Sequence, residues 1–195
     1  MRGDLRGRLI VVSGPSGAGK STLIREALDS VPELAYSVSA TTRAARSGEV
    51  HGEHYVFLSR EEFERWIWEG KFLECAEYSG NLYGTPEGKV EELLDVGRSV
   101  ILEIELQGAR QVRRKRPDAV MVFVRAPSLE ETRRRLSGRA TETAEAMETR
   151  LATAVGEVAA RDEFDFEVVN GEWEQARRDM IETMENIVAG GNDAE

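Results

Sequence analysis

Apolar positions along the chain switch between two spacings. Short runs rich in β-branched residues, RLIVVS at 8–13, SVILEIE at 99–105, AVMVFVRA at 119–126 and FEVVN at 166–170, read as buried strands. Between them the apolar residues fall at helical spacing. The clearest stripe is Trp173, Ala176, Met180, Ile181, Met184, Ile187 and Val188 in the last helix. Met147, Leu151, Val155 and Val158 mark one face of an earlier one. Strand and helix in alternation predict an α/β fold: a parallel sheet flanked by helices. The alternation is interrupted at about 36–85 and 128–155, where insertions are expected.

Capping and turn residues sharpen the boundaries. A helix is predicted from Lys20 to about Leu28, ahead of Pro32. Ser59 and Glu62 form a capping box for REEFERWIWEG, which Gly70 closes. KFLECAEYSGNLYG reads as two strands joined at Ser79–Gly80, and HYVFLS as a strand-like piece. Thr85 is a candidate N-cap with Pro86 at the first helical position, and Gly97 ends that helix. QGARQVRRKR is a further helix, and Ser128 with Glu131 makes a second capping box.

The charge balance changes what these elements can be for. In 195 residues there are 36 acids and 26 bases, a net charge of −10. Bulk phosphate is repelled, so neither nucleic acid nor a membrane surface is an expected partner. No apolar run has the length of a membrane span, and MRGDLRGRLIVVSG carries no signal-peptide pattern. A single cysteine, Cys75, fits a reducing compartment, so a cytoplasmic location is expected. Any anion must be held by a local cluster. SVSATTRAARSGEVHGEHY at 37–55 is one, with six hydroxyls and two arginines.

A stronger anion site follows the first strand. GPSGAGKST, from Gly14 through Pro15, Ser16, Gly17, Ala18 and Gly19 to Lys20, Ser21 and Thr22, matches the phosphate-loop pattern in full. It lies between a predicted strand and a predicted helix, the context the pattern requires. Glycines let backbone N–H groups curl around an anion, and the helix N-terminus adds about half a positive charge. Lys20 can reach the β- and γ-phosphates, and the Ser21 hydroxyl can ligate Mg²⁺. Glu103 and Glu105 end an apolar strand, where spacing of two points both carboxylates to one side. A carboxylate there can hold water on Mg²⁺ if its strand neighbours the loop.

Phosphate loop, SATTRAARSGEVHGEHY, FLECAEYSGNLYGT, LEIELQGA and RRRLSGRATET occur in this order from about residue 8 to 172. Together they resemble guanylate kinase, a family of nucleoside monophosphate kinases that phosphorylate GMP with ATP and Mg²⁺. The resemblance implies a P-loop kinase core (5–35, 86–127 and 156–190), an inserted mixed α/β GMP-binding domain (36–85) and a helical lid (128–155). It assigns Arg43, Arg46, Tyr55 and Tyr83 to the GMP phosphate, and Ser39, Glu74, Thr85 and Glu105 to the guanine. Arg135, Arg139 and Arg150 match lid arginines that close over the transferring phosphoryl group. With Lys20 and Arg43 they make the expected catalytic set. Asn170 matches a position near the adenine of ATP, and Glu103 is expected to hold the metal through water. The residue types agree: arginine forks pair with phosphate oxygens, and an acceptor-only carboxylate suits guanine's N1–H and amine.

The chain departs from the family pattern in places. Glu103 and Glu105 stand where many relatives carry aspartate, Leu82 replaces a frequent aromatic, and Ala140 and Gly171 differ from the common lid and strand-end residues. Two other functions suit the same loop: a related ribose 1,5-bisphosphate kinase, and a non-catalytic binding module of guanylate-kinase type. Ser39, Glu74 and Thr85 argue against the first, and Lys20 with the lid arginines against the second. A monomer or homodimer is expected.

The remaining features call for no chemistry. His51 and His54 complete no metal motif and read as loop residues. Cys75 reads as a small buried strand residue, and RQVRRKR at 110–116 as a solvated helix face. Trp66 and Trp68 fall on different helix faces, so one is expected to pack between domains.

Overall fold

A computed structural model describes residues 6–137 and 153–191, with side chains described to Arg135 in the first span. Five strands, β1 (Leu9–Ser13), β2 (Leu34–Tyr36), β7 (Ser99–Glu103), β8 (Val120–Arg125) and β9 (Phe166–Val169), form a parallel sheet in the order β2-β7-β1-β8-β9. β1 is buried along its whole length at the centre. Its alternate residues face opposite ways, which is why the run is continuously apolar. Ile10 and Val12 pack with α1 (Lys20–Ser30) and α7 (Trp173–Val188), through Leu23, Ala27, Met180 and Met184. Leu9 and Val11 pack on the other face with α3 (Glu87–Asp95) and α4 (Leu106–Lys115), through Val90, Leu94, Ala109 and Val112.

A second sheet lies in the chain between β2 and β7. Its strands β3 (Ala40–Thr41), β4 (Val56–Phe57), β5 (Phe72–Tyr78) and β6 (Asn81–Pro86) run in the order β4-β3-β6-β5. Only β3 and β4 are parallel; the other pairs are antiparallel. Ala40, Phe63 and Phe72 make its small core, with Phe63 on α2 (Arg60–Trp68) stacked 4.4 Å from Phe72. Full burial of such a ring contributes about 2–3 kcal/mol. The Ser59–Glu62 capping box forms in both directions. β5 and β6 meet at Ser79–Gly80, both at positive φ, as a two-residue hairpin requires.

Several expectations are corrected. Thr85 does not cap α3: it is a β6 residue, Pro86 holds the N-cap position, and the Thr85 hydroxyl donates to Glu74. Glu105 is not on the strand with Glu103, because β7 ends at Glu103 and Glu105 is the N-cap of α4. HYVFLS contributes only the two-residue β4. Trp66 packs on Phe72 within the small core rather than between domains, and Trp68 is 88% exposed.

The basic face of α4 is paired rather than merely solvated. Arg110 binds Glu163, Arg113 binds Asp165, and Lys115 binds Glu87. Cys75 is half-buried, and desolvation raises its thiol pKa. His51 and His54 each accept a backbone N–H, as loop residues do. Ser128 accepts from the Glu131 N–H at the start of α5 (Leu129–Ser137), while the Glu131 carboxylate turns to Arg134 and Arg135. Helix α6 is described over 153–159; Met147, Leu151 and most of the expected 128–155 unit lie outside the described residues. No helix among the described residues is long and apolar enough to cross a membrane.

Candidate active site

The phosphate loop leaves β1 at its carboxyl end and enters α1. Gly14 has φ 140°, and a Cβ there would meet the Val124 carbonyl at 1.9 Å, so β8 presses directly on the loop. Gly19, at φ 85°, is the N-cap of α1 and offers no side chain to its first turn. The free N–H groups of that turn therefore face the cleft, an arrangement suited to an anion. Lys20 Nζ donates to the carbonyls of Gly14 (2.5 Å) and Pro15 (3.2 Å), folding its ammonium over the loop.

β7 lies beside β1 in parallel, with Val12 opposite Glu103. The register brings the Glu103 carboxylate to the loop, where Ser21 Oγ donates to Oε1 at 2.7 Å. Tyr36 OH donates to the other oxygen at 3.4 Å. Desolvation, then the Glu103 charge, pushes the Tyr36 phenol well above the usual tyrosine range. Hydroxyl and carboxylate side by side are hard oxygen donors. They suit Mg²⁺, which takes one or two carboxylates and completes its shell with phosphate and water. Among the described residues there is no group of three or more His, Cys, Asp or Glu poised to hold a metal on their own.

Glu105 meets a residue the sequence did not single out. The Glu157 carboxyl, on α6, hydrogen-bonds Glu105. Burial first, then the Glu105 charge, raises it to about 7 against the opposing effect of Lys20. Two carboxyls in contact cannot both ionise cheaply.

The small sheet supplies the opposite wall. Glu74, on β5, is buried, and its Oε1 accepts from Thr85 Oγ1 at 2.7 Å. Burial raises its pKa, while hydrogen bonds from the Thr85 hydroxyl and backbone favour the ionised form. Tyr55 and Tyr83 meet edge to face at 6.3 Å. Arg43 lies over the Tyr55 ring at 5.4 Å and is gripped bidentately by Glu49, whose carboxylate also accepts the Arg46 N–H. Those contacts, the Arg43 side chain foremost, hold Glu49 down at about 2.

A single cleft of about 980 Å³ joins the two walls. Of the expected residues it gathers Ser16, Gly17, Gly19, Lys20, Ser21, Thr22, Ser39, Tyr55, Glu74, Tyr83, Glu103, Glu105 and Arg135. Tyr36, His54, Ala76, Tyr78, Gly84, Ile104 and Gly108 also line it and were not anticipated. Thr85 reaches the cleft through Glu74, and Arg43 stands behind Tyr55. Arg46 is exposed and, like Gly14, Pro15 and Ala18, is not part of the lining. Asn170 is buried behind the loop: its Nδ2 donates to the Ala18 carbonyl at 2.8 Å and its own carbonyl accepts from Arg135 Nη2. Its amide braces the loop from below rather than facing the cleft. Arg139 and Arg150 lie outside the described residues.

A glycine-rich loop between strand and helix, at the carboxyl edge of a parallel sheet with an acidic strand end alongside, defines a P-loop nucleotide-binding protein. Comparison with known proteins narrows the class. A family model described as guanylate kinase matches residues 6–187. A guanylate kinase of Rubrobacter xylanophilus is 79% identical over 187 residues, covering 96% of this chain and 98% of that one. One from Trichormus variabilis is 52% identical over 170 residues, covering 87% and 85%. The crystal structure of guanylate kinase from Anaplasma phagocytophilum superposes with a TM-score of 0.71 at 33% identity, over 95% of this chain and 86% of that one. The chain belongs to the guanylate kinase family.

Proposed function

We propose that the protein transfers the γ-phosphoryl group of ATP to GMP, giving ADP and GDP. The observation that carries this reading is Glu74, a buried carboxylate facing the cleft whose other end is the phosphate loop. Guanine presents N1–H and the exocyclic amine side by side, two donors for an acceptor-only group. Adenine N1 carries a lone pair and leaves the carboxylate unpaired, which a site of this kind rejects by about 10⁴-fold or more. Ser39, Thr85 and Glu105 complete the guanine end.

Arg43 and Arg46 neutralise the GMP phosphate, and Tyr55 and Tyr83 donate hydroxyls to it without adding charge. Loop residues Gly14 to Thr22 hold the phosphates of ATP, with Lys20 neutralising charge on the transferring group. Arg135, with Arg139 and Arg150, adds positive charge over that group. Asn170 serves ATP indirectly, by bracing the loop. The acceptor is already a phosphate oxygen, so catalysis is positioning and charge neutralisation, and no general base is needed. Ser21, and Glu103 through water, would hold Mg²⁺, which would supply positive charge to offset that of the phosphates. The large sheet and its helices form a core (5–35, 86–127, 156–190), residues 36–85 the GMP-binding insertion and 128–155 a lid. The location is cytoplasmic.

Coupled measurement of ADP release with Mg²⁺, across GMP, dGMP, AMP and ribose 1,5-bisphosphate, tests the reading. GMP turns over, and AMP is poorer by about 10⁴-fold in kcat/KM. Comparable rates with AMP and GMP would remove the base-reading role of Glu74, and preference for the sugar bisphosphate would replace the acceptor.

A further inference from the structure

β5 is irregular at the residue that faces the cleft. Phe72 pairs with Pro86 and Cys75 with Gly84, so Leu73 and Glu74 together stand opposite Thr85 alone. This is a β-bulge, which bends a strand and re-aims a side chain. In a regular strand Phe72 and Glu74, two apart, share a face. Here Phe72 enters the small core, Leu73 packs with the large sheet, and Glu74 turns into the cleft.

β5 is an edge strand, so its outer backbone groups need partners from elsewhere. One face of α4 supplies them. Gln111 uses both ends of its amide on Cys75: Oε1 accepts the N–H at 3.3 Å and Nε2 donates to the carbonyl at 2.9 Å. It stands where the next strand would. Lys115, one turn on, donates to the Phe72 carbonyl at 2.8 Å. Gly108, one turn back, lies against the carboxylate itself: a Cβ there would sit 2.7 Å from Glu74 Oε2. Positions 108, 111 and 115 share one face of a helix. Thr85 thus holds Glu74 at Oε1, and the missing side chain at Gly108 leaves the room that Oε2 occupies.

We infer that this face of α4 sets base selectivity: Gln111 and Gly108 are positioning residues that fix the bulge and thereby the aim of Glu74 at guanine. The inference rests on the proposed guanine-reading role of Glu74. It assigns selectivity to residues that act through Glu74: Gln111 is not part of the cleft lining, and Gly108, which is, presents no side chain. It also explains the presence of a glycine inside a helix, where alanine is intrinsically better.

Gln111→Met keeps the side-chain volume and deletes both amide bonds. It should raise the KM for GMP by about tenfold while kcat holds within about twofold and kcat/KM for AMP is unchanged. Gly108→Ala should melt no lower than wild type yet weaken GMP in the same selective way, because only a methyl has been placed against the carboxylate. It answers the question even if Gln111→Met does not fold. In a Glu74→Gln background neither substitution should lower kcat/KM for GMP further by more than about twofold, since the aim of that group no longer matters. Parallel loss with GMP and AMP, multiplied losses in the Glu74→Gln background, or unchanged GMP kinetics in Gly108→Ala would each overturn the inference. The reading beneath it is tested by the single variant Glu74→Gln: an unchanged GMP/AMP ratio there would remove base reading itself. A changed ratio with α4 variants that behave as wild type would remove only the role of α4.

Discussion

At the phosphate-loop end of the cleft the anion-facing surface is backbone: N–H groups of the loop and the first turn of α1, held by a β1 strand without an exposed residue. At the other end it is side chains: Glu74 on β5, Tyr83 on β6, and Ser39 and Tyr55 just ahead of the two-residue strands β3 and β4, over a small core whose buried residues are Ala40, Phe63 and Phe72. A backbone site is fixed once the local turn is fixed, so a contiguous motif can encode it. A side-chain site depends on register, on a bulge and on an outside brace, and its parts are scattered over more than forty residues. The first end can bind any nucleoside triphosphate. On the proposed function selectivity belongs to the second, and its stability rests on a smaller core.

Breaking the charge at the loop end should have the largest effect. Lys20→Ala should reduce kcat by about 10³-fold or more with the fold intact, because strand and helix pin the loop even without the lysine's two bonds to its carbonyls. A variant keeping most of its kcat would mean that the loop end is not the catalytic one. Breaking the small core should come next. Phe63→Ala deletes a buried ring at a cost of about 3–5 kcal/mol. Calorimetric titration should show weakened GMP binding and undiminished ATP affinity; a matched loss of both would show that the two ends do not separate.

The smallest effect is a pH dependence at the seam between them. Glu157 is raised to about 7 from an ordinary 4.5, so the folded state binds its proton more tightly than the unfolded state. Its contribution is full below about pH 4.5 and is lost as pH rises through about 7. Partial exposure and coupling to Glu105 discount the shift to about 1 kcal/mol. Urea melts at pH 5 and pH 8 should therefore show a smaller pH-dependent loss in Glu157→Gln than in wild type. Equal losses would place the proton elsewhere.

The same contrast governs what could be read from sequence. β1, α1, β7 and β8 were legible because long apolar runs, a complete loop motif and helix periodicity are local signals. β3 and β4, two residues each, are too short to show alternation. Thr85 before Pro86 has the composition of a helix cap, and only the bulge opposite it turns its hydroxyl to Glu74. Glu105 has the spacing of a strand residue, yet the chain has already left β7 there. Glu157, Tyr36 and Gly108 carry no local mark, since each matters through a partner distant in sequence. The phosphate loop was recognisable as a contiguous motif; the brace from α4 is visible only in the folded chain.

The hairpin at Ser79–Gly80 has a consequence for the order of assembly. It joins neighbouring strands through two residues, whereas β1 must find β7 across the entire excursion, pairing Leu9 with Val100. Loop-closure entropy makes the first association cheap and the second slow. A hairpin that zips early shortens the effective tether between β1 and β7, because the intervening chain is already partly collected. The small sheet would thus also act as a kinetic splint for the large one, the hairpin forming before β1 meets β7.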